Sequence, residues 1–331
     1  MYGSEFYRKG IVMKFGVSSY SFVKKLNSGE MTIFDAIEFA KNAGYDAMDF
    51  ADFAPADLAE PEFAKHVHEK CVEVGITPSC YAVCGDLVRP DGRTVEEEVA
   101  RFKHHVDIAE ILGCNKMRFD TTKYYPEDGS CKSFRDVADR IAPMIREISE
   151  YARSKGILTL SENHYQFFQD SGRMDYLMEQ VHCDNHKLLI DVGNFLCADE
   201  NPIHAVGRLS QYAGHVHVKD FLYRNGEVIS PFTIWGKSVE HSKDGKIMPA
   251  FSKKGADGIP FGGGWLKTRG NNFIRGTVLG NGVVPVHQCL DLIHSAGYDD
   301  VIALEFEGLE EPLDAVLLGL KYMQYFCGQY R

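Results

Sequence analysis

The chain has 331 residues, 44% apolar and 25% charged, enough for two ordinary domains or one large α/β barrel. Its 36 basic and 47 acidic residues leave a net charge of −11, and Lys and Arg are scattered, so no nucleic-acid partner is expected: phosphates would be repelled. No apolar run reaches membrane-helix length, the stretch MYGSEFYRKGIVMKF lacks a signal-like core, and nine cysteines carry no CxxC pair; a reducing, cytoplasmic setting without membrane contact is expected.

After an extension over residues 1–12, short β-prone runs alternate with amphipathic helices. The pattern predicts strands at 14–18, 47–50, 77–83, 116–119, 158–161, 188–190, 215–218 and 301–304. It predicts helices at 33–43, 60–74, 94–112, 134–155, 175–182, 202–212, 286–296 and 313–326. Gly44, Gly75, Gly113, Gly156 and Gly297 each stand between a helix and the next strand, where a left-handed residue ends a helix. Eight strand-first units predict a single (β/α)8 TIM barrel over 13–331, with a doubly wound open sheet as the rival. Residues 221–284, after the seventh strand, show no clean helix and read as an insertion forming a lid or an interface. Trp235 and Trp265 lie within it, as stacking or packing groups.

Four segments place an acidic or histidine side chain at the end of an apolar run: ILTLSENH from residue 157, LLIDVGN from 188, GHVHVKD from 214 and VIALEFEG from 301. A closed parallel barrel aims such ends at one mouth. Strand alternation puts His215, His217 and Lys219 on one face, with Val216 and Val218 toward the helices, and makes Glu305 and Glu307 share a face. Singly, each has a structural alternative: Glu162 as a helix cap, Asp191 as a turn residue, Glu305 as an ion-pair partner. Together they form a hard, oxygen-rich donor set suited to Mn²⁺, Mg²⁺ or Co²⁺. By contrast, Glu96, Glu97 and Glu98 with Arg101 and Lys103 read as a solvated helix face. His104 and His105 diverge around the same helix.

The segments SENH, IDVGN, HVHVKD and LEFEG, with GVSSYS and GYDAMD upstream, resemble the xylose isomerase-like barrel superfamily of sugar isomerases and epimerases, which includes ketose 3-epimerases, hydroxypyruvate isomerase and inosose dehydratase. The resemblance implies one divalent ion, Mn²⁺ foremost, held by Glu162, Asp191, His217 and Glu305. It further implies that Glu162 and Glu305 act as an acid/base pair on a carbon next to a carbonyl, through a metal-stabilised enediolate. His164 joins them as a catalytic candidate, and His215, Lys219, Asn194, Glu307 and Arg118 are expected to contact the substrate. Asn194 stands where the ketose 3-epimerases carry histidine, and Tyr223 where they carry arginine. Asn194 also breaks the D-x-G-H pattern of endonuclease IV-type repair enzymes. The implied partner is a small sugar or sugar-derived substrate, with a homo-oligomer expected or a small second subunit docked on the insertion. The alternatives are a C-glycoside deglycosidase catalytic subunit acting by elimination from a 3-keto glycoside, an inosose dehydratase-like lyase, and a non-catalytic sugar-binding barrel.

Overall fold

Eight parallel strands close into a ring in this computed structural model, which describes residues 13–328 apart from 54, 90, 91, 166, 227–236, 242–246 and 252–263. In chain order they are Lys14–Ser18, Ala47–Ala51, Thr77–Val83, Lys116–Phe119, Leu158–Glu162, His186–Asp191, Ala213–Val218 and Val301–Leu304. The first pairs with the eighth, Gly16 opposite Ala303, so the sheet has no open edge. Gly16 is needed at this seam, since a Cβ there would stand 2.7 Å from Cγ1 of Val301. The chain is thus a (β/α)8 barrel, and the open-sheet rival is ruled out. The extension 1–12 and Trp235 lie outside the described residues.

Local chemistry explains where the elements begin and end. Thr32, Thr94 and Ser133 each form a reciprocal capping box with the acid three residues on. The five predicted stop glycines all take left-handed φ values, between 72° and 106°. Helix Ser171–Val181 starts four residues before its predicted position because Asp170 caps the N–H of Arg173, which the polar Ser-Gly-Arg turn conceals in sequence. The acidic run of helix Val95–Leu112 is corrected at one member: Glu98 is fully buried, held by Arg93 and Arg101 and by the backbone N–H of Asp86. Among the described helices none is long and apolar enough to cross a membrane.

Inside the ring the side chains form layers. The floor is small and apolar, with Ala47, Val301 and Ala303 on one side and Cys80, Leu160 and Leu189 on the other. Asp49, Arg118, His215 and His217 lie buried among the polar interior residues. The strand-end acids follow at the carboxyl end.

The insertion is more ordered at its base than its sequence suggests. Asp220–Arg224 runs antiparallel to Phe273–Thr277, which also pairs with Leu266–Lys267. A separate ribbon pairs Lys237–His241 with Ile247–Phe251. Two carboxylates fasten the base. Asp220 accepts from the backbone N–H groups of Phe221, Gly280, Gly282 and Val284. Asp199, just past the sixth strand, accepts from Tyr223 Oη (3.0 Å), Thr268 Oγ1 (2.8 Å) and Asn272 Nδ2 (2.9 Å).

Candidate metal centre and active site

The ends of strands five to eight bring Glu162, Asp191, His217 and Glu305 together, with one potential ligand atom from each within 4.8 Å of all the others. Each acid is held in a definite orientation. Asp191 turns Oδ1 toward the backbone N–H groups of Gly193 (2.9 Å) and Asn194 (3.2 Å). Its Oδ2 makes no hydrogen bond and has the Lys219 ammonium 2.9 Å away. Glu162 accepts from Arg118 Nε at 2.6 Å through Oε2 and from Asn194 Nδ2 at 3.1 Å through Oε1. Glu305 accepts from Lys219 Nζ at 2.6 Å and has Oε1 3.5 Å from His217 Nδ1. Gly193 leaves room for this packing: a Cβ there would stand 2.5 Å from Cγ of Lys219.

The buried charges set one another's protonation. Burial and the neighbouring Glu305 and Glu162 carboxylates raise Asp191 to about 6, against the pull of Lys219. Burial would raise Glu305 as well, but Lys219 and His217 hold it well below the usual carboxylate range. Lys219 is held protonated despite its burial by Asp191, Glu305 and Glu307. Burial alone would lower His217, yet Glu305 and Asp49 raise it well above the ordinary imidazole value.

The residues present fit a divalent cation. Asp191 Oδ2 and His217 Nδ1 are buried atoms without a hydrogen bond, and both belong to the cluster. Three carboxylates and one imidazole form the donor set that Mn²⁺, Mg²⁺ or Co²⁺ favours.

The remaining expected site residues divide by position. Lys219 and Glu307 face the cluster, with Nζ and Oε2 3.7 Å apart. His164 stands at the rim, its Nδ1 2.7 Å from Arg118 Nη2 and 3.1 Å from Asp120 Oδ1. The guanidinium can only donate to Nδ1 and the Asp120 carboxylate can only accept from it, so the two contacts call for opposite tautomers of His164.

Three residues of the expected substrate set are bonded to neighbouring side chains. His215 lies one layer lower, opposite Leu189 where His217 is opposite Asp191; it is 0% exposed and bonded to Asp49 at 2.6 Å. Arg118 is committed to Glu162 and to Asp120, whose Oδ1 is 2.9 Å from Nη2. Asn194 commits its amide to Glu162.

Asp49 and Asp120 complete the site from the other half of the barrel, and sequence reasoning missed both. Asp120 directly follows the fourth strand and Asp49 stands in the middle of the second, each an acid on an apolar strand's alternation, which was the available signal. Tyr165, stacked on His164 with ring centroids 3.8 Å apart, takes φ 57°, a left-handed backbone that is rare for a bulky residue and frequent at functional sites. Trp265 is flanked by Arg224 and Arg275, each 5.2 Å from its ring centroid. A cavity of about 340 Å³ at the opposite end of the barrel holds none of these residues, and its buried Lys116 is paired with Asp300 at 2.6 Å.

Comparison with known proteins agrees with this architecture. An inosose dehydratase of Lacticaseibacillus casei is 21% identical over 248 residues, 69% of this chain and 70% of the relative. The solved structure of an IOLI protein with a binding zinc atom superposes with a TM-score of 0.67 at 14% identity, covering 96% of this chain and 99% of that one. A xylose isomerase domain protein from Planctomyces limnophilus gives 0.64 at 18% identity, covering 97% and 98%. A family model described as xylose isomerase-like TIM barrel matches residues 37–325. That match runs through all four of the strand ends described above, and the chain belongs to the xylose isomerase-like TIM barrel family.

Proposed function

We propose that this protein is a divalent-metal-dependent isomerase or epimerase of a sugar or sugar-derived ketone. The observation that carries the reading is the convergence of Glu162, Asp191, His217 and Glu305 at the carboxyl end of the ring. The names of its relatives, among them epimerases and an inosose dehydratase, support sugar chemistry of this kind. Mn²⁺ is the favoured ion, with Mg²⁺ and Co²⁺ also suited to the oxygen-rich set. Bound there, the ion would polarise the substrate carbonyl and stabilise charge on its oxygen.

The chain's own residues supply the proton movements. Glu305, kept ionised by Lys219 and His217, takes a proton from the carbon beside the carbonyl. Glu162, oriented by Arg118 and Asn194, is the partner that returns it. Lys219 and Glu307 face the oxygens of the substrate, and His164 meets a substrate hydroxyl at the rim. The insertion serves as lid or interface over this mouth, fastened by Asp199 and Asp220.

A second reading shares the first step. The inosose dehydratase relative favours β-elimination: the same carbon loses its proton, the C–H pair forms a C=C bond, and a β-oxygen leaves as water. An aglycone leaving from a 3-keto glycoside follows the same balance. The test is a panel of ketoses, inososes and 3-keto glycosides with Mn²⁺ in D₂O. Deuterium at the carbon beside the carbonyl in an unfragmented product supports epimerisation or isomerisation, and an ultraviolet-absorbing enone supports elimination. Glu162→Gln and Glu305→Gln should each abolish turnover with the fold intact; near-wild-type rates in both would refute the acid/base pair.

A further inference from the structure

The two histidines of HVHVKD look equivalent in sequence, yet a single carboxylate from the far side of the barrel treats them differently. Asp49, 1% exposed, is the central residue of the second strand, Ala47–Ala51, on the same alternation as Ala47 and Ala51. Its Oδ2 lies 2.6 Å from His215 Nε2 and 2.9 Å from His217 Nε2, and its Oδ1 accepts from the Ser79 hydroxyl. Three contacts therefore lock the carboxylate in one rotation.

An ionised carboxylate only accepts hydrogen bonds, so each imidazole presents N–H at Nε2. A neutral His217 must then carry its lone pair on Nδ1, the atom that belongs to the strand-end cluster and has no hydrogen bond. His215 also has an unbonded Nδ1, but its ring lies at the level of Leu189, beneath the acids. We propose that Asp49 is a positioning residue for the candidate metal centre, fixing the tautomer and ring orientation of His217 so that Nδ1 serves as the nitrogen ligand. A carboxylate behind a histidine also makes the imidazole a stronger ligand, and losing such a partner weakens metal affinity about 10- to 100-fold. Burying an ion pair is costly, and a hydrophobic side chain would fill the same space, so stability alone is a weak reason for an acid here.

This inference rests on the metal reading above, and the experiment separates the two. Mn²⁺ is titrated calorimetrically into the wild type, Asp49→Asn and His215→Gln. The expected result is binding by the wild type, a dissociation constant raised about 10- to 100-fold in Asp49→Asn, and a smaller change in His215→Gln. Equal affinity in wild type and a folded Asp49→Asn overturns the role of Asp49 while leaving the metal reading intact. No Mn²⁺ binding by the wild type overturns both. If Asp49→Asn does not fold, ¹⁵N-imidazole spectra of the Zn²⁺-loaded wild type, with His217 assigned by His217→Asn, decide instead. Protonation at Nε2 with Nδ1 ligated supports the role, and the reverse overturns it.

Discussion

The two halves of the barrel contribute differently to the mouth. Strands five to eight supply the side chains that converge on one point, Glu162, Asp191, His217 and Glu305. Strands one to four supply supports only, Asp49 behind His217 and Arg118 with Asp120 behind Glu162, while Lys219 and Asn194 add support from the converging half itself. Of these supports Asp49 reaches across the ring, whereas Arg118 stands on the strand next to that of Glu162. On the proposed function, a side chain in the first group touches the substrate or metal, whereas one in the second decides how well the first is aimed.

Four substitutions or conditions would break or sharpen that contrast. The largest effect belongs to the converging half: Asp191→Asn should lose bound metal and lower kcat/KM roughly a thousandfold, the several kcal/mol a Lewis acid supplies. Metal analysis and steady-state kinetics check it, and a fully active metal-free variant would dissolve the distinction. In the supporting half, Arg118→Met strands two buried carboxylates and should cost about 3–5 kcal/mol in urea unfolding.

Acid should act on both halves through two buried neutral histidines. Burial lowers His186 to about 3, and burial with Arg101 lowers His105 to about 3, from an ordinary value of 6.5. The unfolded chain binds these protons first as pH falls. Stability is therefore complete above pH ~6.5 and is lost progressively toward pH ~3, reaching roughly 3 kcal/mol for His186 at pH 4. His186→Gln should flatten the stability–pH slope in that window, and an unchanged slope would reject the assignment. The smallest effect lies outside both halves: Asp220→Ala removes the acceptor of four backbone N–H groups and should cost about 1–3 kcal/mol, read as a lower melting temperature.

The same contrast explains what could be read from sequence. All eight barrel strands stand where alternation and helix-ending glycines predict them, because those signals are local. The converging acids were legible because each ends its own apolar run. Their supports were not: Asp49 meets its histidines 166 and 168 residues away, and Arg118 meets Glu162 at a separation of 44. Nothing in AMDFA or KMRF announces such partners, so the bonds of His215, Arg118 and Asn194 to other side chains were not legible. The strands at 220–224 and 273–277 escaped notice for the same reason, since each is short and the two pair across some fifty residues or more. Glu98 misled in the opposite sense, an acid within a charged run that is drawn inward by two arginines.

Asp220 follows directly on Lys219, so one dipeptide turns a cation toward the mouth and a carboxylate onto the returning end of the insertion. The excursion between Arg224 and Phe273 leaves and re-enters through neighbouring, paired residues. Closure entropy grows only slowly with loop length, about 0.6 kcal/mol per doubling. That segment is therefore a replaceable module: exchanging it could rewrite substrate choice or assembly while the reaction centre is inherited unchanged.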